Sequence, residues 1–264
     1  MAFGHAASLS GGTRCANGTD TKTLHMGRGA QNGLLAALLA QQDFDTGVEP
    51  ISYWGNLVSP TVDLKELNSN LGNQWELLEN TFKPYPCGIV IHPLIDGCIS
   101  LHKKGVKASD VDKLEVVVNP QCTRLCFIQH PSTALQGVFS LYHGCAVGLL
   151  YGEGGRKVFS DEACNRSEVH QIRSIISVTT DDKLRDDEAY VTAILKNGDK
   201  VEDHVEHAVG SLARPMDRGD LERKFVDQSE DIMGLEMCER IMEACWKIEE
   251  IKDISELLLL CRKE

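Results

Sequence analysis

The sequence predicts an α+β fold, and three observations support this class. Apolar residues recur at helical spacing near both ends of the chain, whereas the middle alternates between helical and strand-like patterns. The middle also contains Asn197-Gly198 between two strand-like segments, which is a strong local signal of a β-hairpin. We therefore expect a mixed α+β domain inserted between helical segments that belong to an incomplete all-helical domain.

The changes of pattern divide the chain into three stretches. Residues 1–82 are predicted to be helical and residues 83–212 to form the mixed domain. Residues 213–264 are predicted to return to the helical domain.

The first stretch contains helices with too few apolar partners of their own. A helix is predicted over residues 27–42, and residues 63–78 are predicted to form two short helices. One face of the first helix is apolar and carries Ala30, Leu34, Leu35, Leu38 and Leu39. We expect this face to be exposed and to attract a partner.

The mixed stretch is predicted from β-branched runs, turn signals and helical periodicity. Its predicted strands cover residues 112–120, 172–180, 189–195 and 201–208. Its predicted helices cover residues 89–102 and 134–150, and the second ends near Gly152. In the last stretch, Asp217 or Asp220 is predicted to cap a helix, followed by helices over residues 232–248 and from Ser255.

The charge and the apolar pattern exclude several classes of partner. The net charge is −12, from 39 acidic and 27 basic side chains, which disfavours binding to nucleic acid or to an anionic membrane. The longest apolar run, residues 34–40, is too short to span a bilayer. The first residues do not resemble a signal peptide, so we expect a cytoplasmic protein. A mitochondrial location would require a preceding segment with a transit peptide.

The ten cysteines do not form a metal-binding pattern. No Cys-x-x-Cys pair occurs, and Cys122, Cys126 and His130 come nearest to ligand spacing. We expect reduced and mostly buried thiols, and no metal site.

The first candidate site lies at the start of the first predicted helix. Lys22, His25 and Arg28 place three possible cations directly before it, where unpaired N–H groups attract carboxylates. The alternative is a solvated loop with a helix cap.

The second candidate site is a proline-rich segment before the next helix. His92 follows an apolar run and precedes a proline, so burial can tune it as a general acid or base. The alternative is a core histidine. Lys83 is either an anion contact or a solvated side chain, and Asp96 is consistent with first-turn helix charge.

The third candidate site is the adjacent pair Tyr142 and His143 in an apolar helix. Neighbouring helical residues face different directions, so at most one of them points into a given pocket. The alternative is a hydrogen-bonded core tyrosine.

Taken in order, these segments resemble the MmgE/PrpD family of 2-methylcitrate dehydratases and cis-aconitate decarboxylases. Residues 22–39 are similar to its Lys-x-x-His-x-Gly-x-Ala-Ala-x-x-Gly segment, with Gly29 in place of the first alanine. Residues 83–96 are similar to its Lys-x-Tyr/Phe-Pro segment with a following histidine and Ile-Asp. Residues 139–152 resemble its Phe-Ser-x-x-Tyr helix, and residues 215–225 its Pro-x-x-x-x-Asp-Leu-x-x-Lys-Phe segment.

The resemblance implies roles for seven residues. Lys22 would hold a substrate carboxylate, and His92 would move a proton at the reacting carbon. The family's active-site tyrosine falls on His143, with Tyr142 one residue earlier, so either of the two is a candidate. The remaining substrate-binding candidates are His25, Arg28 and Lys83.

The resemblance also implies the activity and assembly. We expect a lyase that dehydrates 2-methylcitrate or a related alkylcitrate, with cis-aconitate decarboxylation as the alternative. No cofactor is implied, the expected substrate is a small polycarboxylate, and the expected assembly is a homodimer. The chain begins shortly before the lysine segment. We therefore expect it to be a C-terminal portion without the family's N-terminal helices, with the mixed domain acting as a lid over the cleft. A further alternative is a non-catalytic remnant or partner subunit.

Overall fold

The structure is a computed structural model that describes residues 1–16, 19–66 and 69–262. The chain divides into two compact units, Met1–Glu79 and Asn80–Glu264. Both helices and a mixed four-stranded sheet are present, which agrees with the predicted α+β class. The boundaries at residues 82 and 212 and the role of the mixed domain as a lid stay predictions.

The described residues of the first unit form three α-helices. They are α1 (Ala2–Leu9), α2 (Asp20–Gln41) and α3 (Pro50–Val58). The end of α1 is fixed by two side-chain hydrogen bonds. Asn32 Nδ2 on α2 donates to the Leu9 carbonyl at 2.7 Å, and Trp54 Nε1 on α3 donates to Ser10 Oγ at 2.6 Å.

Helix α2 begins seven residues earlier than predicted. Thr19, in an extended conformation, precedes the helix, and Asp20 in the first turn complements the positive end of the helix dipole. Lys22 therefore lies inside the helix, and the prediction that it precedes the helix was wrong. The predicted apolar face is exposed, since Leu34, Leu35 and Leu38 all have large accessible surfaces.

The two short helices predicted over residues 63–78 were also wrong. Within the described residues of this range, the chain forms turns and begins a short 3-10 helix at Glu76–Glu79. Gly72 adopts a positive φ of 81°, and the Asn70 carbonyl accepts from the backbone N–H groups of Asn73 and Gln74. Turn-forming residues here override the mixed apolar pattern.

The second unit contains a four-stranded sheet. Its strands are β1 (Val111–Val118), β2 (Ile176–Thr180), β3 (Ala189–Leu195) and β4 (Lys200–Val205). The strand order is β2-β1-β3-β4, with β1 and β2 parallel and the other pairs antiparallel. The helices are α4 (His92–Lys103), α5 (Pro120–Leu125), α6 (Ala134–Gly137), α7 (Leu141–Tyr151), α8 (Asp161–Asn165), α9 (Ser167–Ser174), α10 (Arg218–Met233), α11 (Leu235–Trp246) and α12 (Ser255–Leu260).

The predicted hairpin is confirmed. Strands β3 and β4 flank Asn197-Gly198, and Gly198 has a φ of +90°, a conformation that glycine adopts at little cost. Leu195 N–H donates to the Asp199 carbonyl at 2.8 Å and closes the turn.

Helix α4 is the centre of the second unit and packs against α7, β3 and β4. Small residues permit the close approach of these elements. A Cβ atom on Gly148 of α7 would lie 3.0 Å from Cys98 Cβ, and one on Gly97 would lie 2.7 Å from a methyl group of Val191. This packing fixes the position of the first turns of α4, where His92 and Asp96 lie.

Two predicted elements of the mixed domain differ from the structure. The helix predicted over residues 134–150 is divided into α6 and α7, because the Ser140 side chain caps α7 by accepting from His143 N–H at 3.0 Å. The strand predicted from residue 172 begins only at Ile176. Ile172 is instead a buried residue of α9, where it shares a helical face with Val169.

The last stretch agrees with the predicted helices more closely. Asp217 and Asp220 together form a capping box at the start of α10. The helix predicted over residues 232–248 is divided at Gly234, which has a φ of +78° and separates α10 from α11. The helix predicted from Ser255 is confirmed as α12.

Two further sequence expectations concern the burial of the thiols and the presence of membrane-spanning segments. Most thiols are buried, as predicted; the buried cysteines are Cys87, Cys98, Cys122, Cys126, Cys145, Cys164 and Cys238. In the part of the chain that the structure describes, no helix is long and apolar enough to cross a membrane.

Candidate active site

His92 is the first residue of α4 and is almost completely buried, with 1% of its surface exposed. A 3-10 turn at Ile89–Ile91 leads into the helix, and Pro93 occupies its first turn, where a missing N–H costs nothing. The predicted placement of His92 at a helix start is therefore confirmed. The predicted apolar surroundings are also present, since Val90, Ile91 and Leu94 are buried beside it.

The His92 ring is held as a neutral imidazole. Its pKa is lowered to about 4, mainly by burial and also by the nearby ammonium groups of Lys83 and Lys224, against the opposing effect of a backbone hydrogen bond with Cys87. Among the described residues, its Nε2 atom has no hydrogen-bond partner. A backbone carbonyl only accepts hydrogen bonds, so the other ring nitrogen carries the proton and Nε2 is left as an acceptor.

Lys83 and Tyr85 hold the segment in front of His92. Lys83 Nζ donates to the Cys87 carbonyl at 3.0 Å, which folds the proline-rich loop back on itself. The Tyr85 ring meets the His92 ring edge to face, with 5.2 Å between the centroids. Two positive groups and one aromatic ring therefore lie around a base whose lone pair has no partner in the described part of the chain.

His92 lines a cavity of about 390 Å³ in the second unit. The walls are mainly apolar and come from residues 81–82, from Ile89 and Val90, and from residues 207–213. The polar side chains that line the cavity besides His92 are Thr81, Asp186, Asp187, His207 and Ser211. The cavity volume falls within the range of small-molecule sites.

Asp96 has a larger role than first-turn helix charge. One carboxylate oxygen accepts from the Tyr85 hydroxyl at 2.5 Å, and the other accepts from Val209 N–H at 2.7 Å. The guanidinium of Arg214 lies 3.8 Å from the second oxygen. Burial nevertheless raises the pKa of Asp96, because the desolvation penalty exceeds the effect of these partners. Burial and the Asp96 charge likewise raise the pKa of Tyr85 well above its usual range.

The other predicted cationic residues lie in the first unit. Lys22, His25 and Arg28 are three residues apart on α2 and so share one helical face. His25 and Arg28 line a cavity of about 520 Å³ together with Asn32 and residues 9–12, and Arg28 also donates to Gln31 Oε1 at 3.1 Å. Lys83, His92, Tyr142 and His143 belong to the second unit.

Tyr142 and His143 face different directions, as predicted. His143 is fully buried, and its Nε2 donates to the Val158 carbonyl at 2.8 Å while its ring packs against Phe159. Burial lowers its pKa to about 4. Tyr142 is only half-buried, and its hydroxyl accepts from Gln129 Nε2 at 3.0 Å. His143 thus has the environment of a core histidine, while Tyr142 reaches the surface of the second unit.

Sequence reasoning missed a histidine–carboxylate pair in the His92 cavity. His207 Nδ1 lies 2.8 Å from Asp187 Oδ2, and both residues line the cavity. The signal was available in the hairpin. The register pairs Ala189 with Val205, and its extension by two residues places Asp187 opposite His207.

A metal-binding cluster is not formed by the described side chains. Across residues 1–16, 19–66 and 69–262, no group of three or more His, Cys, Asp or Glu residues is placed to hold a metal ion. Of the nearest approach seen in the sequence, Cys122 and Cys126 are buried whereas His130 is exposed.

Comparisons with known proteins relate this arrangement to one family. The chain is 24% identical over 279 aligned residues to the mouse (Mus musculus) cis-aconitate decarboxylase, an alignment that covers 97% of this chain and 55% of the relative. It is 26% identical over 280 residues to the human (Homo sapiens) cis-aconitate decarboxylase, with 97% and 56% covered. The chain thus spans about half the length of these curated relatives. Residues 85–248 match the MmgE/PrpD C-terminal domain, which includes His92 and its cavity walls from Ile89 onwards. Since this match covers more than half of the chain, the protein belongs to the MmgE/PrpD family.

Proposed function

We propose that this protein is a lyase of small tricarboxylic acids in which His92 moves the proton at the reacting carbon. One observation carries the proposal. His92 lines a cavity of suitable size, its ring is neutral because burial lowers its pKa to about 4, and its Nε2 atom has no partner within the described chain. A buried neutral imidazole with an unused acceptor is suited to general-base catalysis near neutral pH.

Dehydration of 2-methylcitrate or a related alkylcitrate is the first candidate reaction. In a dehydration, a base removes a proton next to a carboxylate, and an acid protonates the departing hydroxyl group. The neutral state of His92 favours the role of base. The apolar side chains of Phe82, Ile89 and Leu212 in the cavity wall are suited to an alkyl branch of the substrate.

Decarboxylation of cis-aconitate is the second candidate, and the two curated relatives favour it, since both are described as cis-aconitate decarboxylases. In this reaction the substrate loses CO2, and an acid then protonates the resulting carbanion. The same cavity would therefore have to supply a proton donor rather than only a base.

The remaining site candidates are proposed to bind carboxylates. The ammonium groups of Lys83 and Lys224 both act on His92, so a substrate anion beside this histidine would be attracted to them. For Lys22, His25 and Arg28 the proposal rests on the family resemblance and on their shared face of α2. Tyr142 is a better candidate than His143 for a substrate contact, because the His143 Nε2 proton is already donated to Val158.

The experiment is a direct assay of the purified chain with three acids, namely 2-methylcitrate, citrate and cis-aconitate. Proton NMR distinguishes the reactions, since dehydration produces an unsaturated tricarboxylate and decarboxylation produces an unsaturated dicarboxylate with release of CO2. Preferential conversion of 2-methylcitrate supports the dehydratase. Preferential conversion of cis-aconitate to the dicarboxylate supports the decarboxylase, and no conversion of any of the three contradicts the proposed activity of this chain.

A further inference from the structure

The His207–Asp187 pair lies at the end of the β3–β4 hairpin and is held from several sides. Asp187 Oδ2 lies 2.8 Å from His207 Nδ1, while Asp187 Oδ1 lies 3.6 Å from Arg185 Nε. The backbone of the two segments is also joined, since Ala208 N–H donates to the Asp187 carbonyl at 3.0 Å. The pair therefore has a fixed place beside the sheet.

The same segment is anchored to the helix that carries His92. Val209 N–H donates to Asp96 on α4 at 2.7 Å, and Phe82 N–H donates to the Gly210 carbonyl at 3.1 Å. These two bonds close the cavity between the start of α4 and the segment that follows β4. His92 and His207 both line this cavity of about 390 Å³.

The Asp187 carboxylate determines which His207 nitrogen is available. An ionised carboxylate can only accept, so Nδ1 carries the proton of this hydrogen bond and Nε2 is the remaining functional nitrogen. A histidine oriented in this way by a carboxylate can carry a second proton on Nε2 and release it to a reacting group. The side chain is about one-third exposed, so it can exchange protons with solvent.

His207 also lines the neighbouring cavity of about 660 Å³, which contains the basic residues Lys103, Lys104 and Arg214 together with Asp203 and Glu206. His207 therefore lines both a mainly apolar cavity and a more polar one.

We propose that His207, oriented by Asp187, is the proton donor of the cavity in which His92 is the base. This inference rests on the proposed lyase function and deepens it by naming a second acid–base residue. In its reactive form the His207 ring is an imidazolium, with one proton bonded to Asp187 and the other on Nε2. Arg185, Asp186 and Glu206 are further ionisable groups near the pair.

Protons and electron pairs are accounted for in both candidate reactions. In dehydration, His92 Nε2 takes the proton next to the carboxylate, the C–H electron pair forms the double bond, and the C–O bond breaks with its electrons on oxygen. The oxygen takes the His207 Nε2 proton and leaves as water, after which both rings exchange protons with solvent. In decarboxylation, the C–C bond breaks to release CO2, and the carbanion takes the His207 Nε2 proton.

The chain offers a matched control pair at the same end of the β3–β4 hairpin. His204 Nε2 lies 2.9 Å from Glu188 Oε1, and the His204 ring stacks on Tyr190 with 4.0 Å between centroids. His204 lines the 660 Å³ cavity, whereas His207 lines both cavities. Replacement of His204 thus tests the loss of a histidine–carboxylate pair next to His207 and Asp187 that does not line the His92 cavity.

The experiment compares His207→Gln, Asp187→Asn and His204→Gln in the full chain by steady-state kinetics and by ¹⁵N NMR of the imidazole nitrogens. We expect His207→Gln to lower kcat by about a hundredfold and Asp187→Asn by about ten- to a hundredfold, with KM changed by about threefold or less. His204→Gln should stay within about twofold of the wild type. Thermal unfolding confirms that each variant is folded, and cis-aconitate is the NMR probe.

The outcomes separate this inference from the proposed function. If the wild type turns over a tricarboxylate and His207→Gln behaves like His204→Gln, the donor role is wrong while the lyase function stands. If the wild type turns over none of the acids, the NMR titration tests whether His207 contacts a bound ligand. A shift of the His207 nitrogens on addition of cis-aconitate, with His204 unchanged, supports a ligand-contacting role for the pair. No shift of His207 overturns it.

Discussion

The hydroxyl of Tyr85 donates to a buried carboxylate oxygen of Asp96 at 2.5 Å and thereby joins the proline-rich loop to helix α4. Because the Tyr85 ring also packs edge to face on His92, this bond fixes one wall around the base. Tyr85→Phe should therefore lower the free energy of unfolding by about 1–3 kcal/mol, since a buried acceptor loses a partner. Urea denaturation measures this change. Tyr190→Phe, which alters a half-exposed tyrosine on the sheet, is the control, and an equal loss in both variants would argue against the bond.

The stability of the second unit should fall as the pH is lowered from 7 to 4. Burial lowers the pKa of His92 and of His143 to about 4, whereas both take up a proton near pH 6.5 when unfolded. The unfolded chain thus binds more protons in this window, so both contributions are complete above pH 6.5 and are lost as the pH falls toward 4. The expected loss is roughly 2–3 kcal/mol for each histidine.

Urea denaturation at several pH values tests this prediction. His92→Gln and His143→Gln should each reduce the pH dependence, and His130→Gln, which alters an exposed histidine, should leave it unchanged. The raised pKa of Asp96 opposes the trend at the acid end, since protonation of a buried carboxyl group favours the folded state. A wild-type stability that is constant between pH 7 and pH 5 would contradict the neutral state of the two rings.

Lys22 is predicted to bind a substrate carboxylate. Lys22→Ala should lower kcat/KM by about a hundredfold, the usual scale for loss of a positioned charge partner. Lys65→Ala, which removes an exposed lysine of the same unit, serves as the control. Equal activity of Lys22→Ala and the wild type would remove Lys22 from the site.

The family resemblance predicts a homodimer, and we propose that the apolar face of α2 takes part in it. Leu34 is 64% exposed and Leu38 is 50% exposed, which makes this face a candidate for self-association. Light scattering after size-exclusion chromatography should give the mass of a dimer for the wild type. Leu34→Glu with Leu38→Glu should give the monomer, whereas Val48→Glu, at an exposed position of the connecting loop, should not. A monomeric wild type would contradict the proposal.

The parts of the fold that local signals determine were predicted from the sequence. The Asn197-Gly198 turn specifies the hairpin, Asp217 specifies the start of α10, and the proline after His92 specifies the start of α4. Each of these residues acts on the backbone within a few positions of itself. Their effects can therefore be predicted without knowledge of the tertiary structure.

The errors arose where tertiary contacts or single residues override an apolar run. Ser140 divides the helix predicted over residues 134–150, because residues 139–141 pair with the segment around Cys126 and the Ser140 side chain caps α7. Ile172 belongs to a strand-like run, but its burial beside Val169 places it in α9. Periodicity alone does not distinguish these alternatives in short segments.

The candidate site was predicted only in part, because some of its contacts are local in sequence and others depend on the tertiary structure. His92 could be predicted because its motif and the following proline are local features of the sequence. The pairing of His207 with Asp187 joins residues 20 positions apart, and the bond from Val209 N–H to Asp96 joins residues 113 positions apart. The register of β3 and β4 places Asp187 opposite His207, whereas the partners of Asp96 come from the loop before α4 and from the segment after β4.

The role of His92 as the base is tested most directly by turnover of His92→Gln on 2-methylcitrate, because dehydration is the reaction in which this residue removes the proton. Glutamine keeps much of the volume of the imidazole but cannot take up a proton. We predict a fall of about a hundredfold or more in kcat, with His130→Gln within about twofold of the wild type. A His92→Gln variant that is folded and turns over at a rate near that of the wild type would contradict the account.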